Sequence, residues 1–217
     1  MADPDLKLKA SKKTKLMNLE IDGAKQKVTV RQLWKYNWTA VSGVPAWTSK
    51  QKTTFHKKIE KAIRKSWSGK FILQVTGKSK FAKAMSGKTL TVIFDVDPVS
   101  SGAHYTVNAK KIKPGDWSGS SVEPSSQVIN IDTEDMNPEQ KPDAPKGMKQ
   151  TVAAHEFGHA IKAANWTDEY WASHKFTKDV KSIMHSGTKL RKRHADHVVS
   201  ELSKMIPDTT FKVKSIK

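Results

Sequence analysis

The sequence predicts an α+β fold, a twisted mixed β-sheet backed by helices, two of which follow the sheet, the second of them C-terminal. Three observations carry that expectation. One amphipathic helical pattern spans residues 49–67. A run of short alternating segments follows between residues 71 and 132. Two further helical patterns close the chain, one at about 148–164 and one at about 193–206.

Residues 1–25 are basic and poor in aromatic residues, and are expected to form a flexible arm. Residues 26–217 are expected to form a single domain. Lys27-Val28-Thr29-Val30 has the character of a short strand. Trp34, Tyr36, Trp38 and Trp47 follow in a segment interrupted by Gly43 and Pro45. They are expected to form a satellite core, because each ring buries a large area.

Thr48-Ser49-Lys50-Gln51 has the S/T-x-x-E/Q form of a capping box. The helix that it opens carries Phe55, Ile59, Ile63 and Trp67 at i+4 spacing, and Ser68-Gly69 ends it. Phe71-Ile72-Leu73-Gln74-Val75 reads as a buried strand, and residues 77–87 as a basic connector. Leu90, Val92, Phe94 and Val96 alternate along the next strand, and Tyr105, Val107 and Ala109 along another. Residues 115–126 read as a Gly/Ser/Pro loop. Residues 127–132 read as a strand, and 126–132 as the sheet edge on which an extended peptide would pair. Pro138, Pro142 and Pro145 make 136–146 a loop. In the last helix Val198, Leu202, Met205 and Ile206 face inward, and Pro207 stops it.

Hydrophobic residues make up 36% of the chain, a low share that seven tryptophans and seven phenylalanines partly offset. Cysteine is absent, so any metal site must use His, Asp or Glu. The chain therefore suits reducing and oxidising compartments alike. No stretch approaches the ~18 apolar residues of a membrane span. Residues 1–15 lack an apolar core, so no conventional signal peptide is expected. The net charge of +18 implies repulsion between copies, hence a monomer. It also implies attraction to polyanions: nucleic acid, anionic lipid or an acidic envelope polymer. The densest basic runs, 7–15 and 189–193, read as solvated surface. No helix-turn-helix, finger or RNP-type motif accompanies the charge.

His155-Glu156-Phe157-Gly158-His159 is an H-E-x-x-H motif in an apolar frame. On a helix, positions i and i+4 lie one turn apart on one face, so His155 and His159 can bind one metal ion. Glu156 between them would then face a metal-activated water. At about 100° per residue, Ala153, Phe157, Ala160, Ile161 and Ala164 gather on the opposite face, suited to packing on a core.

Further motifs follow: Asp168-Glu169-Tyr170, then Ser182-Ile183-Met184-His185-Ser186-Gly187, then Arg191-Lys192-Arg193-His194. With the first motif, these resemble a bacterial group of metzincin-like metallopeptidases. The group includes the peptidase domains attached to some type VI secretion spikes and to contractile-injection toxins. The resemblance covers residues 150–206; the first 147 residues match only in the order of their elements. It implies a zincin-like fold, Zn²⁺ as cofactor, and Met184 as the Met-turn residue that floors the metal. It also implies delivery by a secretion machine into a target-cell envelope or periplasm, with an immunity protein as a further partner.

Three positions depart from the pattern. Lys162 stands where a glycine ends the helix, Lys192 where proline is expected, and Asn165 at the usual third-histidine position. The helix is therefore expected to continue through Ala163 and Ala164. Asp168 is the expected third ligand, with Glu169, His174, His185 and His194 as competitors. His194 is expected to face the cleft and hydrogen-bond an oxyanion or a ligand carboxylate.

The expected activity is zinc-dependent endopeptidase action on a peptide or protein substrate, with Glu156 as the proton shuttle. Two other classes fit parts of the sequence. One is a nucleic-acid-associated SprT-like protease, although such proteins usually carry a cysteine zinc ribbon. The other is a non-catalytic polyanion-binding module on a peptidase fold, which an intact Glu156 argues against.

Overall fold

Apolar–polar alternation writes most of the sheet. A computed structural model describes residues 8–217 and gives an α+β architecture, a nine-stranded mixed sheet with helices packed against it. The strands are β1 (Lys9–Lys13), β2 (Asn18–Asp22), β3 (Lys27–Ala40), β4 (Phe71–Gly77), β5 (Thr89–Pro98), β6 (Tyr105–Lys111), β7 (Ser121–Glu123), β8 (Val128–Asp132) and β11 (Thr209–Ile216). Their main order is β11-β4-β5-β3-β6-β8-β7, with β2 on β3 and β1 on β2. A separate two-stranded ribbon joins β9 (Glu139–Gln140) to β10 (Lys149–Gln150).

The expected basic arm, 1–25, is corrected. Residues 1–7 lie outside the described residues. Beyond them, β1 and β2 form an antiparallel hairpin, and β2 pairs with β3. Leu19 and Ile21 alternate with Glu20 and enter the core, with Met17 buried beside them. Burial of each such side chain contributes about 1.5–3 kcal/mol, which anchors a segment whose lysines otherwise disguise its period.

β3 is far longer than the four residues expected, because it serves β5 and β6 in turn as well as β2. Its first half runs parallel to β5, from Lys27 opposite Thr91 to Trp34 opposite Pro98. Its second half runs parallel to β6, from Trp34 opposite Tyr105 to Ala40 opposite Lys111. The aromatic segment forms the expected satellite of the core. Tyr36 stacks on Trp38 at 4.6 Å between centroids, and Trp38 meets Trp47 and Phe55 edge-on.

Helix α1 (Ser49–Trp67) starts at the expected capping box. The Gln51 N–H donates to Thr48 Oγ1 at 3.3 Å, and the Thr48 N–H donates to Gln51 Oε1 at 3.0 Å. Phe55, Ile59, Ile63 and Trp67 are buried on one face. Short helix α2 (Lys80–Ala84) lies in the expected connector. Helix α3 (Val152–Ala160) carries the H-E-x-x-H motif, and helix α4 (Asp196–Met205) packs against β11.

The expected edge strand is also corrected. β8 lies between β6, to which it is parallel, and β7, to which it is antiparallel. The short strand β7, drawn from the expected loop, is the edge on that side. Among the described residues no helix is long and apolar enough to cross a membrane.

Candidate metal centre

α3 is buried all round, from Ala153 to Ala160, and its backbone is tied to distant elements. The Trp67 indole N–H donates to the Ala154 carbonyl at 2.8 Å. At the other end the Ala160 carbonyl accepts from the Tyr105 hydroxyl and from Gln32 Nε2, each at 2.9 Å. Gly158 is required by close approach: a Cβ there would overlap the Met184 sulfur and crowd Trp67. Met184 is fully buried against the helix at that point.

The helix does not run through 164 as expected. Ile161 caps it, and Lys162 turns left-handed at φ 64°. Ala164, Asn165 and Trp166 are left-handed as well, with φ of 49°, 54° and 66°. A non-glycine residue in this region costs roughly 1–2 kcal/mol. Three of these residues sit in a short 3₁₀ turn, Ala163–Trp166, that folds the chain sharply back. This reversal, rather than a longer helix, returns Asp168 to the two histidines.

Three ligand atoms converge. His155 Nε2 lies 2.8 Å from Asp168 Oδ1, His159 Nε2 lies 3.1 Å from the same oxygen, and the two nitrogens are 3.1 Å apart. Among the described residues this is the one group of three or more such side chains with metal-ligand spacing. Metal bonds of about 2.0–2.2 Å at the tetrahedral angle separate ligand atoms by about 3.3–3.6 Å. The observed triangle, with edges of 2.8, 3.1 and 3.1 Å, needs to open by about 0.2–0.8 Å to accept an ion.

Hydrogen-bond accounting supports the fit. His155 Nδ1 lies 2.7 Å from the Ile183 carbonyl, which can only accept, so Nδ1 carries the proton. A neutral His155 then aims the Nε2 lone pair at a carboxylate oxygen and at a second imidazole nitrogen. Such a knot of acceptors calls for a cation, either a metal ion or a second proton on the ring. Burial opposes charge on His155, but Asp168, Glu156 and the Ile183 carbonyl outweigh it and hold its pKa above the ordinary value. Burial also opposes charge on Asp168, yet the hydrogen bonds from both histidines hold its carboxyl far below the usual range. His159 Nδ1 is buried and has no partner among the described residues.

Glu156 is buried beside this triangle, and burial pushes its carboxyl up against the pull of His155 and His159. Tyr170 is half-exposed next to it. Burial and a hydrogen bond to Asp168 push the Tyr170 phenol up. Trp171, also exposed, packs against Tyr170.

The competing ligands are engaged elsewhere. Glu169 is fully buried and clamped by Arg193, with Nε to Oε1 at 2.6 Å and Nη2 to Oε2 at 2.8 Å. Arg193 also reaches Asp179 at 2.8 Å, and Arg191 binds Asp179 through Nε and Nη2 at 2.7 and 2.6 Å. The run 189–193, expected to be solvated surface, thus sends both arginines into ion pairs. His174 Nδ1 accepts from the Phe176 N–H. His185 bonds Ser186 and the Thr177 carbonyl.

His194 is a correction. It is fully buried and does not line the cleft. Its Nδ1 accepts from the Arg191 N–H at 3.1 Å, so Nε2 carries the proton and faces Ser182 Oγ at 3.2 Å and Glu169 Oε1 at 3.4 Å. Burial holds His194 below its ordinary pKa against the pull of Glu169. It packs against Glu169, the residue that follows Asp168.

Gln150 was not singled out by sequence. It is buried, and its Nε2 lies 2.9, 3.1 and 2.7 Å from the carbonyls of Ile183, His185 and Gly187. It thereby gathers the turn whose Ile183 carbonyl orients His155. Its only sequence signal is position, just ahead of the motif helix.

Comparison with protein-family models, with curated proteins and with solved structures finds no match.

Proposed function

We propose that the chain is a zinc-dependent endopeptidase with a zincin-like fold. One observation carries the reading: His155, His159 and Asp168 converge on one point, with Glu156 beside them on the same helix. When bound, Zn²⁺ supplies the Lewis acidity that activates water and polarises a carbonyl. His155 keeps Nε2 free for the ion by donating Nδ1–H to Ile183.

The Glu156 carboxylate takes the proton of the attacking water and returns it to the leaving amine nitrogen. Its buried setting favours the protonated form, which suits the second of these transfers. The Tyr170 hydroxyl stands beside Asp168 and donates to the developing oxyanion. Strand β7, at the sheet edge and in contact with α3, offers backbone groups to an extended peptide.

The resemblance over residues 150–206 supports a further step. In it the chain is a secreted effector, attached to or carried by a secretion spike, acting in a target-cell envelope or periplasm and neutralised by an immunity protein.

The test is metal analysis of the purified chain, with digestion of a peptide library by the wild type and by Glu156→Ala. About one zinc per chain, and hydrolysis by the wild type alone, is the expected result. Failure to take up zinc, or equal hydrolysis by the variant, sinks the reading.

A further inference from the structure

A cleft of about 740 Å³ opens beside the N-terminal end of α3, where Thr151 and Ala154 form part of its wall. Ala154 lies about 200° around the helix from Glu156, so the cleft lies behind the metal centre, with Gln150 and Ile183 in the wall between them. Six lysines line it: Lys65, Lys70, Lys146, Lys149, Lys189 and Lys217. They come from α1, the turn after it, the β9–β10 ribbon and two later segments. No acidic residue lines the cleft, and among the described residues no ion pair neutralises any of the six. A second basic groove offers a contrast. There Lys9, Lys25, Lys27 and Arg31 are interspersed with Glu20 and Asp22.

We propose that this lysine cleft binds a flexible chain of phosphates without bases, either inorganic polyphosphate or a glycerol-phosphate polymer. Six uncompensated ammonium groups around one concavity repel one another, and a string of anions relieves that repulsion. Lysine is a point charge on a flexible stem, which can follow spaced charges along a polymer. No aromatic or arginine lines the cleft, so bases find neither a stacking platform nor a planar fork, which disfavours nucleic acid. The exposed large apolar residues, Trp117, Tyr170 and Trp171, all lie outside it. A membrane surface would find a concave face with nothing to insert.

The inference stands apart from the peptidase reading, since binding needs no catalysis. It is tested on the full chain by fluorescence anisotropy with labelled inorganic polyphosphate and labelled poly(glycerol phosphate); the tighter of the two identifies the source. The high overall charge makes a matched control essential. A Lys65→Gln, Lys149→Gln, Lys189→Gln triple is compared with a Lys35→Gln, Lys57→Gln, Lys88→Gln triple. All six of these residues are exposed, and circular dichroism checks that both triples stay folded.

The cleft triple is expected to weaken binding about tenfold or more and to lower the salt slope by about two to three. The control triple is expected to stay within about twofold of the wild type, and Glu156→Ala to bind unchanged. Equal weakening by both triples would mean that diffuse charge alone attracts the polymer, and would overturn the site. Tighter binding of an oligothymidylate, lost in the cleft triple, would overturn the ligand class in favour of single-stranded nucleic acid.

Discussion

His155 Nδ1 donates to the carbonyl of Ile183 at 2.7 Å, and that bond sets which nitrogen of the ring faces Asp168. The same carbonyl accepts from Gln150 at 2.9 Å. Ligand orientation therefore depends on a glutamine just before α3 and on a turn well after it.

Zinc affinity should rank the residues of the centre by what each supplies. His155→Ala and Asp168→Ala are expected to lose more than about a hundredfold in affinity. Gln150→Leu, which only frees the orienting turn, is expected to lose about 10–100-fold. Competition with a chromogenic chelator measures all three. A loss in Glu169→Gln or His174→Ala greater than that in Asp168→Ala would reassign the third ligand.

Catalysis should separate from metal retention. Glu156→Ala is expected to keep its zinc and to lose at least about 10²–10⁴ in kcat. Tyr170→Phe is expected to lower kcat about 10²-fold with KM little changed, as for an oxyanion donor. A Tyr170→Phe variant altered only in KM would restrict Tyr170 to substrate binding.

The Glu169–Arg193 pair should matter for stability. Glu169→Ala leaves Arg193 without its main partner and empties a fully buried site. A loss of about 3–5 kcal/mol is expected, or on the order of 10 °C in Tm for a chain of this length. Replacing both residues, Glu169→Leu with Arg193→Met, is expected to recover part of it. A thermal melt of the metal-free chains separates this effect from zinc binding.

Stability should fall on both sides of about pH 4. Burial pushes Asp135 up to about 7 from an ordinary 3.8. Between those values the folded chain holds a proton that the unfolded chain has released, so stability drops as pH rises through the window and levels off above it. Asp179, bound by Arg191 and Arg193, is lowered to about 2. Its contribution is present above about pH 4 and is lost as pH falls towards 2. Asp135→Asn is expected to flatten the fall between pH 4 and 7. Denaturant midpoints across pH read this directly, and an unchanged slope in the variant would remove Asp135 as its source.

The left-handed turn offers a gain. Ala164 sits at φ 49°. Glycine there avoids roughly 1–2 kcal/mol of steric cost at the expense of about 0.5–1 kcal/mol of chain entropy. Ala164→Gly is expected to stabilise the chain by about 0.5–1 kcal/mol. A lower Tm in the variant would mean that the methyl group's packing outweighs the backbone term.

What was legible in the sequence was local. The α1 pattern and its cap, the alternation of Leu90 to Val96, and the histidine pair each express a period within one element. The end of α3 was not legible, because Lys162 and Ala164 adopt a conformation that their side chains disfavour and no glycine announces it. Asp168 stands beside the two histidines, but it gets there by a tight reversal and not at the end of the longer helix that its spacing implied. β11 was missed because Phe211 and Val213 alternate with lysines after a helix stop. β1 and β2 were hidden in the same way, with Leu19 and Ile21 among charges. Gln150 and His194 could not be placed from spacing, since their roles depend on a turn remote in sequence.

His155, His159 and Asp168 sit close together in the chain, yet α3 is held by residues far away. Gln32 is 128 positions from Ala160, Tyr105 is 55 from it, and Trp67 is 87 from Ala154. All three anchors precede α3, so the seat of the helix is written in the chain before the motif itself. A fragment of residues 150–217 would keep every residue of the motif and lose the seat that holds it in place.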